Sequence, residues 1–192
     1  MGCAKTNKSC NELAQTFSPD EGAFTLSELG SAAKEHAHQL FVGFTSQEQY
    51  WSEYVIDNAK EEAPTYFNIE DVHFSGFGSQ GDGASWVGYI DARAWCEVHG
   101  VPNAESLIES GELSEDIEIK TQGNYAHSGT MSIPDLCIPR EIELAMLSEA
   151  RSYADQIYKD LEESYEADTS LEAFEDMASG NDYLFDADGN LI

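Results

Sequence analysis

Residues 71–91 read DVHFSGFGSQGDGASWVGYID, and this stretch decides the fold class. Apolar and polar residues alternate on both sides of a glycine-rich centre, as they do in strands that bury one face. We therefore predict a β-hairpin whose strands cover 66–77 and 84–98 and whose loop is SQGDG at 79–83. The loop should hold at least one glycine at positive φ and bond the Asp82 carboxylate to its backbone amides.

Two helices are predicted before the hairpin. Capping boxes begin at Thr25 and at Ser46, and each precedes apolar residues with helical spacing. The second helix ends before Pro64, and the short link should pack the two helices as an antiparallel pair. The residues predicted to line the apolar face of the second helix are Tyr50, Trp51, Tyr54, Val55 and Ala59.

The elements after the hairpin complete the pattern. A short helix is predicted over 103–110, two more strands over 116–121 and 124–133, a long helix after Pro139 and a short one over 171–178. This order predicts an α+β fold with an N-terminal helix pair, an antiparallel sheet of about four strands built from two hairpins, and a long acidic C-terminal helix.

The same pattern sets the expected domain limits and core. Residues 1–23 lack periodicity and predict a flexible N-terminal arm, whereas 24–192 should form a single α+β domain with an acidic helical C-terminal part at about 139–179. The residues expected to be mostly buried are Leu29, Phe41, Trp51, Val55, Phe74, Trp86, Ile142, Met146, Tyr153 and Ile157.

Charge is the unusual feature of the composition. Nine Lys and Arg stand against 37 Asp and Glu, which gives a formal net charge of -28. Such a field repels nucleic acid and anionic membranes and attracts basic surfaces, of which the commonest in a cell hold DNA or RNA. The simpler interpretation is that the charge only keeps the chain soluble.

The long helix concentrates acidic residues on its surface. Asp155, Glu162 and Glu166 share one helical stripe, which we expect to be exposed and continuous with other acids. Carboxylates on a rigid helix can imitate a phosphate backbone and bind a partner built to neutralise phosphates. The acids predicted beside the stripe or continuous with it are Glu149, Asp160, Glu163, Glu105, Glu109 and Glu115.

The hairpin motif FSGFGSQGDGASW at 74–86 resembles a motif of small uncharacterised proteins encoded by tailed bacteriophages. The pattern YWxxYVxxNA at 50–59, YxHSxTM at 125–131 and the ending YLFDADG at 183–189 are similar to theirs. The resemblance covers about 25–192 in patches. It implies a phage origin and a likeness to antitoxin-like and host-takeover proteins, and it carries over no catalytic residue.

The candidate catalytic and metal-binding residues also have simpler structural interpretations. Ser79 or Ser85 with Asp82 and His127 could supply a nucleophile, an orienting acid and a base, but no nucleophile-elbow spacing is present, and turn residues are the simpler interpretation. A zinc site at Cys96, His99 and Cys137 lacks a second well-spaced ligand pair. The segment DADGN at 186–190 predicts a turn rather than a calcium loop.

These observations predict a phage-encoded inhibitor or modulator that binds a basic, nucleic-acid-handling protein in the host cytoplasm. No apolar run approaches the roughly 18 residues of a membrane span, and we expect no cofactor, no metal and no direct contact with nucleic acid or membrane. One alternative is an antitoxin-like partner that binds through the aromatic hairpin, and another is an enzyme that uses the loop from Gln80. The partner-binding residues predicted outside the acidic helix are Ser79, Gln80, Asp82, Trp86 and His127.

Overall fold

A computed structural model describes most of the chain. Most of the predicted N-terminal arm lies outside the described residues. So do Gln49, which ends the predicted capping box that begins at Ser46, and Asn124, the first residue of the strand predicted over 124–133. The described ranges are 22–48, 50–123, 125–134 and 137–192.

The described residues group into two compact units. The small unit comprises 22–44 and 171–192, and the large unit comprises 45–170. The assignment of 24–192 to a single domain stays a prediction.

The mixture of helices and antiparallel strands among the described residues confirms the α+β class. The strands are β1 (Phe24–Thr25), β2 (Phe67–Phe74), β3 (Ala84–Asp91), β4 (Asp116–Thr121), β5 (Met131–Ser132) and β6 (Leu184–Phe185). The helices are α1 (Ser31–Thr45), α2 (Tyr50–Glu61), α3 (Ala92–His99), α4 (Ala104–Ser110), α5 (Arg140–Asp168) and α6 (Leu171–Gly180).

The large unit is built on a four-stranded antiparallel sheet with the order β2-β3-β4-β5. β2 and β3 form the predicted hairpin, with Val72 opposite Trp86 and Phe74 opposite Ala84. β4 and β5 form the second antiparallel pair. The sheet of about four strands and the long C-terminal helix are therefore confirmed.

The second hairpin strand is shorter than predicted. Residues 92–98 do not continue the strand but belong to α3. The Asp91 side chain accepts a hydrogen bond from the Ala94 amide at 2.9 Å and so caps the helix. Gly100, at a φ of 63°, ends it. Trp95 and Cys96 are buried at helical spacing from Ala92, which alternation alone did not reveal.

A β-bulge interrupts the pairing of β2 with β3. The register shifts between Ile69 and Asp71, and Gly88 lies opposite this irregularity with a φ of 150°. A Cβ atom at Gly88 would lie 2.0 Å from the carbonyl oxygen of Asn68. The backbone of β2 therefore occupies the space that a side chain would need.

One face of the sheet is covered by α2 and α5. Trp51 of α2 packs edge-on against Phe74, with ring centroids 5.5 Å apart. The indole N–H of Trp86 donates to the carbonyl oxygen of Ala150 in α5 at 3.0 Å. Because Phe74, Val72 and Trp86 share a face of the hairpin, the two helices lie side by side on that face.

The two helices run antiparallel. The Ser164 hydroxyl, near the end of α5, donates to the carbonyl oxygen of Trp51, near the start of α2, at 3.1 Å. The Tyr153 hydroxyl donates to the carbonyl oxygen of Ala59, near the end of α2, at 2.7 Å. The start of α2 therefore lies beside the last turns of α5.

The predicted core is confirmed, with a gradation in burial. None of the predicted residues is exposed, and Phe41, Val55, Phe74 and Tyr153 are half-buried at its edge. The buried ones are Leu29, Trp51, Trp86, Ile142, Met146 and Ile157.

The small unit packs α1 and α6 over the short strand pair β1–β6. Phe41 of α1 stacks on Phe174 of α6, with centroids 5.1 Å apart. Within the small unit α1 packs against α6, and within the large unit α2 packs against α5. The expectation that α1 and α2 form an antiparallel pair stays a prediction. Apolar spacing marks the buried face of a helix but does not name its partner.

The first helix also begins later than predicted. The carboxylate of Glu28 accepts hydrogen bonds from the backbone and the hydroxyl of Thr25 at 2.9 and 2.8 Å, so these two residues are paired as expected. They close a 3-10 turn only, because Leu29 leaves the helical region with a ψ of 144°. α1 then begins at Ser31.

Among the residues that the structure describes, no helix combines the length and the apolar composition that crossing a membrane requires.

Candidate functional site

The orientation of α5 is fixed by its buried side. Six residues of this helix point into the core, and the Trp86 indole holds its backbone at Ala150. Each residue turns an α-helix by about 100°, so the face opposite the buried one is determined as well. The buried residues are Ile142, Met146, Ala150, Ala154, Ile157 and Leu161.

The outward face of α5 carries an acidic surface. Asp155, Glu163 and Glu166 lie opposite the buried stripe and are exposed, together with Lys159. Asp160 is also exposed, on the flank nearer α2, and accepts a hydrogen bond from the Gln156 side chain at 2.8 Å. We call Asp155, Asp160, Glu163 and Glu166 the outer acids.

Glu162 differs from the prediction that placed it in the exposed stripe. It is half-buried, on the side of α5 that faces the hairpin loop. The neighbouring Tyr158 donates to the carbonyl oxygen of Gly76 at 3.0 Å. Burial, followed by the charges of Glu162 and Asp82, raises the pKa of Tyr158. Glu162 therefore lies close to the loop rather than out in solvent.

Glu149 was predicted to be a partner-binding acid, but it binds neighbours within the fold. Its carboxylate accepts hydrogen bonds from the Tyr66 hydroxyl and from the Trp95 indole N–H, the latter at 2.6 Å. His99 Nε2 lies 3.3 Å from the same carboxylate, and the His99 ring stacks on Trp95 with centroids 4.1 Å apart. The Glu149 side chain thus joins α5 to α3 and to the start of β2.

His99 contacts this cluster through both of its ring nitrogens. Nδ1 lies 2.8 Å from the carbonyl oxygen of Trp95, and Nε2 faces the carboxylate of Glu149. Because a carbonyl oxygen can only accept, Nδ1 is the donor in the hydrogen bond to Trp95.

Tyr66 should titrate late because of this cluster. Burial and the hydrogen bond to Glu149 raise the pKa of Tyr66 from 10.0 to about 12. The folded pKa is above the unfolded one, so the contribution to stability is fully present below pH 10.0 and is lost as the pH rises through about 12. Ultraviolet titration of tyrosinate should show a transition near pH 12 that Tyr66→Phe removes. Loss of a transition near pH 10 instead would contradict the hydrogen-bonded cluster.

The hairpin loop has the predicted geometry. Gly81 has a φ of 104°, and the Asp82 carboxylate accepts hydrogen bonds from the amides of Gly78 and Ser79 at 2.9 and 2.6 Å. Both parts of the prediction are confirmed. Ser79 and Gln80 are exposed at the tip of the loop.

His127 lies against the base of this loop. A Cβ atom at Gly83 would come within 2.9 Å of the His127 ring, so the glycine permits the close approach. His127 Nδ1 accepts a hydrogen bond from the Gly129 amide at 2.8 Å. These side-chain hydrogen bonds of Asp82 and His127 stay within their own segments, so the structure does not assemble the two residues as an acid and base pair.

Trp86 and Ser85 lie in the interior. Trp86 was predicted both as a core residue and as a partner-binding residue, and at 0% exposure it can only be the former. Ser85 is equally buried and lies 3.3 Å from the Thr121 hydroxyl that donates to it. Ser85 is therefore out of reach of a substrate in solution.

Arg93 interrupts the predicted continuity of the acidic surface. Its guanidinium forms ion pairs with Glu105 and, at 3.4 Å, with Glu115. These two acids were predicted to extend the acidic stripe but instead have a local cation. Glu109 is exposed on α4.

The candidate metal ligands have local roles where the structure describes them. Cys96 is buried, and burial raises the pKa of its thiol. The Asp186 carboxylate accepts hydrogen bonds from the amides of Asp188 and Asn190 and from the Asn190 side chain, which confirms the predicted turn. Within the described ranges, no three His, Cys, Asp or Glu side chains are grouped to hold a metal ion.

Two exposed tyrosines on α2 are the feature that the sequence pattern missed. Tyr50 and Tyr54 were predicted to line the apolar face, but they are 75% and 70% exposed. The inward face is formed by Trp51, Val55 and Ala59, which are four residues apart. Each tyrosine comes one residue before a member of this series and therefore points away from the core. The acids Glu53 and Asp57, each three residues after one of the tyrosines, could have signalled an outward face.

A search of the curated proteins found no significant match, and a search of the solved structures found none either. A family model matches residues 51–171, nearly all of the large unit, and its description is "Domain of unknown function (DUF8835)". The match spans more than half of the chain, and the protein therefore belongs to the DUF8835 family.

Proposed function

We propose that this protein binds a basic, nucleic-acid-handling protein through the outer acids of α5 and acts in part as a mimic of a phosphate backbone. The proposal includes a phage origin and action in the host cytoplasm as an inhibitor or modulator. The observation that carries it is the exposure of Asp155, Asp160, Glu163 and Glu166 on a helix whose other side is held in the core.

The charge density of this helix supports the mimicry. Apart from the half-buried Glu162, the segment 155–168 carries five exposed acidic residues and one lysine over about 20 Å of helix axis, or about one net negative charge per 5 Å. One strand of B-DNA carries one negative charge per about 3.4 Å. A surface that binds phosphates would therefore meet a similar linear density of charge on α5.

Rigidity supports the same proposal. The hydrogen bonds from Trp86, Tyr153 and Ser164 fix α5 to the sheet and to α2. The carboxylates are thus carried by a backbone that need not become ordered on binding, which removes part of the entropic cost of association.

Several cations elsewhere in the large unit, Arg93 and Arg140 among them, pair with acids near them rather than with the outer acids.

Neutralising three outer acids should weaken partner binding without harming the fold. The variant is Asp155→Asn with Glu163→Gln and Glu166→Gln. We expect affinity to fall by about 10- to 100-fold and the slope of its salt dependence to fall by about one for each carboxylate that pairs with a partner cation. The measurement is the Kd over a series of salt concentrations, for a partner captured from host lysate with the wild-type protein and then purified.

The stability of this variant should change by less than about 0.5 kcal/mol. The substitutions remove the attraction of Asp155 and Glu163 to Lys159, but they also relieve repulsion between Glu163 and both Asp160 and Glu166. A control with the same charge change is Glu172→Gln, Glu175→Gln and Asp176→Asn on α6, whose three acids are also exposed. If both variants reduced affinity equally, only total charge would matter and α5 would not be the binding face.

The two alternative functions have less structural support. An antitoxin-like partner that binds through the aromatic hairpin would need exposed aromatic side chains, but Trp86 is buried, Phe77 packs against Trp51 and Tyr165, and of the described aromatic residues of the hairpin only Tyr89 is exposed, at 37%. An enzyme that uses the loop from Gln80 would need Asp82 and His127 in contact with one another. The salt dependence of partner affinity distinguishes the antitoxin-like alternative from the proposed function. The affinity of a partner that docks through apolar contacts should change little between low and high salt.

A further inference from the structure

The outward face of α2 is an aromatic and acidic stripe without a packing role in the large unit. Tyr50 and Tyr54 are one helical turn apart and 75% and 70% exposed. Glu53, Asp57 and Glu61 lie on the same side of the helix and are exposed too. We call these five residues the tyrosine stripe.

The tyrosine stripe is continuous with the outer acids. α2 and α5 lie side by side on one face of the sheet, so their outward faces point to the same side of the large unit. They run antiparallel, and the hydrogen bond from Ser164 to the backbone of Trp51 sets the start of α2 beside the last turns of α5. Tyr50 and Tyr54 therefore neighbour the segment of α5 that carries Asp160 and Glu163.

Two acids outside the tyrosine stripe lie near the contact between α2 and α5. Burial, followed by the charges of Glu62 and Asp160, raises the pKa of Tyr153. Glu62 follows the last residue of α2, whereas Asp160 belongs to α5, and both act on one tyrosine between the helices. A carboxylate of α5 and one just after α2 therefore lie near the contact between the two helices.

Tyrosine rings set among carboxylates match the chemistry of arginine. A guanidinium stacks flat on an aromatic ring and forms paired hydrogen bonds with a carboxylate, whereas a lysine ammonium is a strongly hydrated point charge. The charge of the stripe is opposite to that of an arginine-bearing segment, and tyrosine is enriched at the centres of protein interfaces.

We propose that the tyrosine stripe binds arginine side chains of a basic partner segment, with Tyr50 and Tyr54 as stacking platforms and Glu53, Asp57 and Glu61 as hydrogen-bond acceptors. The inference rests on the proposed function and adds a preference of arginine over lysine. The outer acids supply attraction for any cation, and the stripe selects which cation is held.

Two labelled peptides of equal length, one of arginine only and one of lysine only, test this preference with the full chain. We expect the wild type to bind the arginine peptide about tenfold more tightly than the lysine peptide at the same salt concentration. Tyr50→Ala with Tyr54→Ala should abolish this preference and leave the affinity for the lysine peptide within about twofold of wild type. Because the substitutions remove no charge, the slope of peptide affinity against salt concentration should stay unchanged.

Conservative variants and a matched surface tyrosine complete the test. Tyr50→Phe with Tyr54→Phe keeps both rings and should keep the arginine preference. Tyr125→Ala removes a tyrosine that is 72% exposed elsewhere in the large unit and should leave both affinities unchanged. Circular dichroism checks that each variant is folded, which is expected because the substituted side chains are exposed.

The outcomes separate this inference from the proposed function. If the wild type binds neither peptide, the proposed function is overturned and the inference with it. If both peptides bind and the neutralised α5 variant binds neither, but the alanine variant keeps the arginine preference, the inference alone is overturned. A wild-type dimer in sedimentation that Tyr50→Ala with Tyr54→Ala abolishes would also overturn it, because the stripe would then bind a second copy of the chain.

Discussion

Replacing Gly88 with alanine is expected to destabilise the large unit by at least about 3 kcal/mol, which is a large fraction of the roughly 5–15 kcal/mol that holds a domain together. The backbone at this position has a φ of 150°, which side chains disfavour. A Cβ atom would also lie 2.0 Å from the Asn68 carbonyl oxygen. The central strand pair must therefore separate at the bulge, or the residue must leave its conformation.

Urea denaturation followed by circular dichroism measures this effect. Gly78→Ala is the matched control, because this glycine lies in the same hairpin and a Cβ atom there would meet nothing within 4 Å. We expect the control to change the free energy of unfolding by less than about 1 kcal/mol. If the two variants unfolded at the same urea concentration, the close approach of β2 to Gly88 would be wrong.

Glu149→Ala is expected to cost about 2–4 kcal/mol, because it leaves the Tyr66 hydroxyl and the Trp95 indole N–H without their acceptor. Both donor residues are buried, at 7% and 3% exposure, and the Glu149 side chain is 30% exposed, so water replaces the carboxylate only in part. The measurement is again the free energy of unfolding, here with Glu163→Ala as the control. Glu163 belongs to the same helix but is exposed, so its removal should cost less than about 0.5 kcal/mol.

This comparison also separates structural acids from binding acids. Glu149→Ala should lower stability at every salt concentration, whereas Glu163→Ala should act on partner affinity. Equal unfolding midpoints for Glu149→Ala and the wild type would mean that the hydrogen bonds from Tyr66 and Trp95 do not hold the fold, and Glu149 would then return to the set of candidate partner-binding residues.

The sequence was sufficient where local chemistry decides the structure. The hairpin follows from alternation around SQGDG, the geometry of Asp82 follows from the turn, and the long helix follows from its apolar stripe after Pro139. Each of these signals acts between residues close in the chain, so no knowledge of distant partners is needed.

Distant contacts explain what the sequence did not reveal. Glu149 has the spacing of a surface acid, and only the fold brings Tyr66, Trp95 and His99 to it. Tyr50 and Tyr54 have the composition of a core face, but the packing of Trp51 against the sheet sets the inward face of α2 one residue further on. Side-chain type and spacing do not distinguish these cases, because the difference arises in packing.

The position of the three tryptophans gives the chain a built-in optical reporter. Trp51, Trp86 and Trp95 are all buried in the large unit, and the sequence contains three tryptophans in total. Intrinsic tryptophan emission therefore records the large unit alone, whereas peptide-bond ellipticity records the helices of both units. If the melting curves recorded with the two signals do not coincide, the two units unfold in separate steps. This measurement needs no label and no truncated chain.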